Sequence, residues 1–310
     1  MSVPPASSDH PTADTPGAAG TGGAVDTAGA PGASGTPDDS GTSAPRLAAT
    51  RVGDQPRRIA FLHGLMGRGR NFSGVAQALT DEFTVEMIDL PDHGQSEWTT
   101  GVDYQRLADE VAAHLRAGLA DAGPVHLIGH SMGGKVAMAL ALRHPELIER
   151  LVVVDIAPRV SPSATGEFEH LLGTMLAMDL SALSTRAEAD AVMARDVDDE
   201  RVRGFLLQNL RREKGHFAWQ PNVQMLRENL EEIGGFPDPV VEDDPQRTFE
   251  RPVLWLGGAN SSYIQDEDVP TMKALFPKVM RVTLRGAGHW VHADQPEAFV
   301  TALRTFLNAS

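Results

Sequence analysis

The chain has 310 residues, no cysteine and a formal net charge of −15, from 27 Lys and Arg against 42 Asp and Glu. The absence of cysteine excludes disulfides, cysteine nucleophiles and zinc–thiolate or iron–sulfur sites. The acidic balance argues against nucleic-acid binding, because that function needs a basic surface. No apolar run approaches the roughly 20 residues of a membrane span, and no secretory signal is expected at the N-terminus. We therefore expect a soluble, cytoplasmic protein, and the sequence leaves its oligomeric state open.

The N-terminal stretch differs in composition from the rest of the chain. Its first 45 residues are mostly Gly, Ala, Pro, Ser, Thr and Asp, with no Phe, Trp, Tyr, Leu, Ile, Lys or Arg. Such a segment cannot bury enough apolar surface to offset the entropy lost on ordering it. The composition predicts a disordered tail over residues 1–50, followed by one folded domain over residues 51–310.

From residue 57 onward, apolar runs of strand length alternate with helical patterns. The predicted strands cover residues 58–63, 83–90, 125–130, 150–156, 253–256 and 279–284. The predicted helices between and after them cover residues 72–79, 104–119, 136–142 and 295–307. Short, continuously apolar strands are typical of a sheet buried on both faces. The alternation therefore predicts an α/β fold with a mostly parallel sheet and helices on both faces.

One long region interrupts this alternation. Between about residues 160 and 245 the pattern is helical without strands, with predicted helices at 168–180, 187–195, 201–210 and 223–230. An insertion between two strands of a parallel sheet lies at one edge of that sheet, where open α/β sheets bind their ligands. The sequence predicts a helical cap over the functional site.

The strongest local motif is Gly129-His130-Ser131-Met132-Gly133, which follows a predicted strand and begins a predicted helix. Glycine on both sides allows a tight bend that exposes the hydroxyl of Ser131 above the sheet. The N–H of Met132 would lie at a helix N-terminus, where it can stabilise a developing oxyanion. The motif predicts that Ser131 is a nucleophile, and the alternative is a structural or phosphate-binding turn.

Together with this motif, the loop after the first strand, Phe61-Leu-His63-Gly-Leu65-Met-Gly, resembles the α/β-hydrolase superfamily over residues 57–308. The resemblance implies an α/β-hydrolase fold in which the N–H of Leu65 is the second oxyanion donor. It implies no metal and no cofactor. We expect His63 and His93 to bond to the backbone around the site rather than to bind a metal.

A histidine must act as the general base toward Ser131. In the superfamily it follows the last strand, where this chain has Gly286-Ala-Gly-His289-Trp290-Val-His292. The resemblance implies that His289 is the base, because the preceding glycine lets the loop turn sharply toward the nucleophile. His292 is the alternative.

The acid is less evident in the sequence. Many superfamily members have it near the position of Asn260 or Ser261, and neither residue ionises. Asp266 and Asp268 follow nearby and resemble the first turn of a helix. Asp155 instead ends an otherwise apolar strand, where an unpaired charge would be costly.

A narrower resemblance bears on this choice. The segments Val-Asp155-Ile-Ala-Pro, Gly257-Gly-Ala-Asn-Ser-Ser-Tyr263 and Gly-Ala-Gly-His289-Trp-Val-His resemble a group of small bacterial esterases with acyl-thioesterase activity and their mitochondrial relatives. In that group the corresponding aspartate has been proposed as the acid, which implies Asp155 here. Asp266 and Asp268 remain the alternatives.

The cap and the catalytic loops supply the predicted substrate pocket. Its residues are His63, His130, Met175, Phe205, Trp219 and Trp290. Apolar cap residues predict a pocket for acyl chains, and a basic cluster could either be solvated or attract anionic acyl-CoA esters. The cluster consists of Arg203, Arg211, Arg212 and Lys214.

These features predict a carboxylesterase or thioesterase that cleaves esters or thioesters of short to medium acyl chains through an acyl-enzyme on Ser131. The partner is a small-molecule substrate. The same fold also supports C–C bond hydrolysis and cofactor-free haloperoxidation. A small-molecule receptor on a hydrolase scaffold is the alternative from another functional class.

Overall fold

The computed structural model describes residues 45–160, 162–236 and 248–309. The predicted tail therefore lies outside the described residues as far as residue 44. Ala49 and Thr50, which the composition assigned to that tail, instead begin the first strand. This strand pairs with residues of a buried central strand, so the folded domain starts before residue 51.

The described strands form one seven-stranded sheet and one separate hairpin, and the sheet confirms the predicted α/β fold. The sheet order is β1-β3-β2-β4-β5-β8-β9, with all neighbours parallel except β1, which runs antiparallel to β3. The strands are β1 (Ala49–Val52), β2 (Arg58–Leu62), β3 (Thr84–Ile88), β4 (Val125–His130), β5 (Ile148–Val154), β6 (Leu210–Glu213), β7 (His216–Trp219), β8 (Val253–Gly258) and β9 (Val279–Leu284).

Helices cover both faces of the sheet. The helices are α1 (Ser73–Gln77), α2 (Tyr104–Arg116), α3 (Met132–Arg143), α4 (Pro162–Ala177), α5 (Arg186–Met193), α6 (Glu200–Leu207), α7 (Val223–Glu228), α8 (Leu230–Gly234), α9 (Val269–Leu275), α10 (Val291–Asp294) and α11 (Pro296–Leu307). Single 3₁₀ turns cover Gly69–Phe72, Pro145–Leu147, Leu180–Ala182 and Asp266–Asp268. Within the described ranges, no helix combines the length and apolar character that crossing a membrane would require.

Alternate side chains of each central strand belong to two different cores, because successive residues of a strand face opposite sides. Leu127 of β4 packs in the core under α2 and α3. Its neighbour Ile128 packs in the core under α1 and α11. The central strands are thus buried on both faces, as their continuous apolar sequences predict.

The insertion between β5 and β8 contains α4 to α8, and it also contains a β-hairpin that the sequence analysis missed. The prediction of a strand-free cap is therefore wrong. β6 and β7 pair antiparallel through a two-residue turn at Lys214 and Gly215. Both turn residues have positive φ, 49° and 94°, which is the backbone of a tight hairpin turn. The available signal was Gly215, because glycine readily adopts the positive φ that this turn requires.

A buried lysine connects the cap to the helix that follows Ser131. Lys135 of α3 is only 2% exposed. Its Nζ donates to the carbonyl oxygens of Ile233, Gly234 (2.8 Å) and Gly235 at the C-terminal end of α8. An amino group at this end of a helix satisfies carbonyls that have no partner within the helix. This contact fixes the last cap helix against the hydrolase core.

A buried histidine in β4 makes the stability of the fold sensitive to acid. Both ring nitrogens of His126 are buried without a hydrogen bond among the described residues. Burial, and secondarily the charges of Arg57 and Arg150, lowers its pKa to about 4. Between pH 6.5 and pH 4 the unfolded chain therefore binds a proton that the folded chain does not, so the free energy of unfolding falls as the pH is lowered through this range.

We expect His126→Leu to flatten this pH dependence by at most ~1.4 kcal/mol per pH unit, which is the effect of one proton. Urea unfolding at several pH values between 4 and 7 measures it. His216, an exposed histidine of the β6–β7 hairpin, provides the control. A His216→Leu variant should keep the difference from His126→Leu that wild type shows, and an equal slope in wild type and His126→Leu would contradict the expectation.

Candidate active site

Ser131 occupies a strained bend between β4 and α3. Its φ is +53°, a conformation that costs an L-residue energy and persists only where the surroundings impose it. A Cβ on Gly129 would lie 2.2 Å from the carbonyl oxygen of Gly133, and a Cβ on Gly133 would lie 2.5 Å from backbone oxygens of the β2 loop. Only glycine permits these approaches, so the bend has the geometry that the motif predicts.

The structure brings Ser131, His289 and Asp155 together. The Oγ of Ser131 lies 3.0 Å from Nε2 of His289. Nδ1 of the same ring lies 2.8 Å from Oδ2 of Asp155. His289 reaches this position from the loop after β9, and Asp155 from the C-terminal end of β5. The three side chains thus form one hydrogen-bonded chain across neighbouring strand ends.

Asp155 is completely buried, and its carboxyl oxygens are well supplied with donors. Oδ1 accepts the N–H of Gly258 at 2.9 Å. Oδ2 accepts the hydroxyl of Ser261 in addition to the contact with His289. Hydrogen bonds to a buried carboxylate offset the desolvation that burial imposes. Ser261 occupies the position where the resemblance would place the acid. In this chain its hydroxyl donates a hydrogen bond to the carboxyl group of Asp155 instead.

The alternative acids have other partners. Asp266 is an exposed residue that pairs with Arg281 at 2.7 Å. Asp268 is buried, pairs with Arg159 at 2.7 Å and accepts the N–H of Gln265. Neither carboxylate contacts His289. The other histidine candidate, His292, is partly buried and packs against Phe72 at a ring-centroid distance of 4.7 Å, and desolvation of its ring lowers its pKa to about 4.

The two backbone N–H groups predicted to stabilise an oxyanion, those of Leu65 and Met132, flank Ser131. Both residues border the same small cavity as the serine. Within the described residues neither N–H donates a hydrogen bond. Gly64 approaches so closely that a Cβ there would lie 3.0 Å from Cβ of Ser131. The loop after β2 thus lies against Ser131, and its Leu65 N–H has no acceptor among the described residues.

Two buried histidines hold this loop in place. Nδ1 of His93 bonds to the carbonyl oxygen of Pro91 at 2.9 Å, and its Nε2 accepts the N–H of Met66 at 3.1 Å. His63 bonds in the same way to the oxygen of Gly64 and the N–H of Leu90. Each ring must donate through one nitrogen and accept through the other, so each is neutral.

Burial explains why these two imidazoles stay neutral. Burial, and secondarily the neighbouring ring of His93, lowers the pKa of His63 to about 3. Burial also lowers the pKa of His93. In the parts of the chain that the structure describes, no three side chains of ligand type cluster around a point that could hold a metal ion. Both rings contact the backbone around the site, as the sequence analysis expected.

A large cavity opens above Ser131 and contains four of the six predicted pocket residues. His63, His130, Phe205 and Trp290 line this space of about 510 Å³. The ring of Phe205 packs on Trp290 at a centroid distance of 5.3 Å. Nε2 of His130 donates to the carbonyl oxygen of His289 at 2.9 Å, which helps to hold His289 in place.

Met175 and Trp219 were wrongly assigned to the pocket. Met175 is fully buried inside the cap. Its carbonyl oxygen accepts the indole N–H of Trp219 at 3.0 Å. Trp219 lies on β7 of the missed hairpin, and the hairpin directs its ring toward α4 rather than toward the serine. These two residues stabilise the cap.

The structure adds pocket residues that the sequence analysis did not select. Tyr263 stacks on His289 with a centroid distance of 3.8 Å and an interplanar angle of 17°. It lies in the segment Gly-Gly-Ala-Asn-Ser-Ser-Tyr after β8, so the motif contained the signal. Leu230 and Ile233 of α8 border the small cavity, but nothing in the sequence distinguishes them from other apolar cap residues.

Residues 58–296 match the family model described as the alpha/beta hydrolase fold. The chain belongs to the α/β-hydrolase family. The sn-1-specific diacylglycerol lipase ABHD11 of Danio rerio is 38% identical over 255 residues, which cover 80% of this chain and 78% of that protein. Esterase YbfF of Escherichia coli K12 is 31% identical over 81% of this chain and 92% of its own length.

Solved structures agree with this assignment. A marine microorganism esterase superposes on this α/β hydrolase with a TM-score of 0.79 and 32% identity, covering 84% of this chain and 99% of that one. These comparisons confirm the resemblance to α/β hydrolases with esterase relatives. The sequence analysis inferred it from the motifs around Ser131, Asp155 and His289.

Proposed function

We propose that the protein is a serine hydrolase that cleaves carboxylic esters through an acyl-enzyme on Ser131. The distance of 3.0 Å between Ser131 Oγ and His289 Nε2 carries this proposal. A serine within hydrogen-bond reach of an imidazole that is itself oriented by a third group is the arrangement of an activated nucleophile. The names of the relatives, a diacylglycerol lipase and an esterase, support ester cleavage.

In the proposed reaction, Ser131 Oγ attacks the acyl carbonyl while His289 Nε2 takes the hydroxyl proton. The N–H groups of Leu65 and Met132 stabilise the resulting oxyanion. The tetrahedral intermediate collapses when His289 gives the proton to the leaving-group oxygen, which frees the alcohol. Water, deprotonated by His289, then attacks the acyl-enzyme and releases the acid and Ser131. Asp155 holds the imidazole in the required tautomer and stabilises it when it is protonated.

We assign the two parts of the substrate to the two cavities at Ser131 on chemical grounds. The leaving-group oxygen must receive its proton from His289, so the alcohol portion lies on the side of the imidazole. The cavity of about 510 Å³ includes His289 in its wall, and the cavity of about 30 Å³ does not. The acyl chain therefore occupies the smaller space, which is lined mainly by apolar residues. Its lining includes Leu65, Met132, Ile156, Phe168, Leu230 and Ile233.

We expect this smaller space to favour short acyl chains, because it is narrow compared with the large cavity. Attack and proton transfer are the same for an oxygen ester and a thioester, so both bonds fall within the proposal. The charge and size of the leaving group would then determine which of the two bonds the enzyme cleaves more efficiently.

A fluorophosphonate probe tests whether Ser131 is activated, and it separates a hydrolase from a receptor on the same scaffold. We expect one covalent adduct on the folded wild-type protein, seen by intact mass, and none on Ser131→Ala. The variant should also lose roughly 10⁴-fold or more in kcat/KM for an aryl ester, as serine removal does in other triads. Wild-type protein that forms no adduct and turns over no ester would refute the hydrolase proposal.

The assignment of the acid predicts different effects for two matched substitutions. Asp155→Asn should lower kcat by roughly 10³- to 10⁴-fold, because an amide favours the wrong tautomer of the imidazole. Asp268→Asn removes a buried carboxylate that has no contact with His289, so it should change kcat by less than about threefold if the fold is retained. Circular dichroism checks folding of both variants. The reverse order of effects would assign the acid to Asp268.

The division of the cavities predicts the acyl-chain preference. Wild-type kcat/KM on p-nitrophenyl esters should be highest between acetyl and butanoyl and fall at octanoyl. Leu230→Ala enlarges the small cavity and should raise the octanoyl-to-acetyl ratio of kcat/KM about tenfold, since a single methylene is worth about 10-fold or more in such a pocket.

Phe205→Ala is the control for this experiment, because Phe205 lines only the large cavity. It should leave the acyl-chain ratio unchanged and alter the preference among alcohols. If Phe205→Ala changes the acyl ratio and Leu230→Ala does not, the two cavities are assigned the wrong way round.

A further inference from the structure

The entrance of the large cavity carries an excess of negative charge. Its ionisable wall residues, apart from histidines and Tyr263, are Glu167, Asp199, Arg201 and Asp294. Arg201 forms an ion pair with Asp294. The second carboxyl oxygen of Asp294 accepts the N–H of Gly288 at 2.8 Å. The arginine is therefore already paired with one carboxylate, and among the described residues Glu167 and Asp199 form no ion pair.

Glu167 on α4 is the first of these two acidic side chains. It is exposed, and among the described residues it makes no hydrogen bond or ion pair. It lies close enough to Tyr263 for its charge to act on that phenol: burial first, and then Glu167, raises the pKa of Tyr263 to about 12. Because Tyr263 stacks on His289, Glu167 faces the part of the cavity where the alcohol portion of a substrate would lie.

Asp199 is the second of the two acidic side chains at the entrance. Its Oδ1 accepts the N–H groups of Arg201 and Val202 and so caps the N-terminus of α6. These donors are neutral backbone groups. The charge of Asp199 also acts on Arg201 and Arg203, but within the described residues those arginines form their ion pairs with Asp294 and Asp190 instead. Asn is as good an N-cap as Asp, so the charge can be removed while the helix cap is kept.

The basic cluster that could have attracted anions does not reach this cavity. Arg203 pairs with Asp190 at 2.8 Å, and Arg211 pairs with Glu213. Arg212 donates to the carbonyl oxygen of Ser184. None of these residues, nor Lys214, lines the cavity. Of the two alternatives for this cluster, these positions therefore favour a solvated cluster over a basic entrance.

We propose that this acidic entrance selects substrates whose alcohol portion is uncharged or cationic and disfavours anionic leaving groups such as coenzyme A. Glu167 and Asp199 are the specificity-determining residues. The inference rests on the proposed ester hydrolysis and on the assignment of the large cavity to the alcohol portion. Like charges repel at the entrance, and the effect should weaken with salt because these side chains are exposed.

Three butanoyl esters of matched phenols test the proposal. One phenol carries a 4-carboxylate, one its methyl ester and one a 4-trimethylammonium group, so the acyl chain is constant and the charge varies. The quantity measured is kcat/KM for each charged ester divided by that for the neutral ester. Comparing this ratio between variant and wild type cancels the different intrinsic reactivities of the phenols.

In Glu167→Gln/Asp199→Asn we expect the anionic-to-neutral ratio to rise about three- to tenfold at low ionic strength and the cationic-to-neutral ratio to fall. Both changes should shrink in 0.5 M NaCl, where screening is strong. Glu149→Gln is the control. Glu149 is an exposed glutamate at the N-terminal end of β5, whereas Ser131 follows the C-terminal end of the parallel strand β4. It should leave both ratios as in wild type.

Two failures are distinguishable. If wild-type protein cleaves none of the three esters and reacts with no fluorophosphonate, the proposed function itself is wrong. If it cleaves the neutral ester but the double variant leaves both charge ratios unchanged, or if wild type cleaves butanoyl-CoA as efficiently as the neutral ester, only the charge selection is refuted.

Discussion

The buried carboxyl group of Asp155 is the constraint around which the site is organised. It is inaccessible to solvent, so its oxygens must find donors within the protein. They find the N–H of Gly258 on β8, the hydroxyl of Ser261 after β8 and the imidazole of His289 after β9. One side chain on β5 thereby fixes the ends of two further strands. The geometry at Ser131 follows from this, because the ring of His289 is held between Asp155 and the serine.

The second constraint is the narrow bend that carries Ser131. The backbone approaches at Gly129 and Gly133 leave no space for a side chain. The same crowding brings the loop after β2 against the serine, and within the described residues the N–H groups of Leu65 and Met132 donate no hydrogen bond. Neutral His63 and His93 bind the backbone of that loop and hold it in place.

The cap converts this core into a site with two unequal spaces. Lys135 ties α8 to the helix that follows Ser131, and α8 supplies Leu230 and Ile233 to the small cavity. The larger space lies on the side of His289 and is bounded by α4 and α6. The core thus provides the proposed chemistry, while the cap sets the volume and charge that the two parts of a substrate would meet.

Sequence determined the features that depend on local geometry. The bend at Ser131 needs glycine at fixed neighbouring positions, and buried parallel strands need continuous apolar runs, so both are readable from the residues alone. The location of His289 in the loop after the last strand and the choice of Asp155 came from resemblance to related sequences, and the hydrogen-bonded chain in the structure agrees with that resemblance.

Tertiary structure decided what depends on contacts between distant segments. Met175 and Trp219 have the same apolar character as Phe205 and Trp290, yet the first pair binds within the cap and the second lines the cavity. Arg203, Arg211 and Arg212 of the cap pair with carboxylates or backbone oxygens away from the entrance. Arg201 lies at the entrance but is paired with Asp294, so Glu167 and Asp199 set the charge of the entrance. The sequence gives each residue its chemistry, but only the packing of α4, α6 and the β6–β7 hairpin determines which side chains face Ser131, because this depends on partners far apart in the chain.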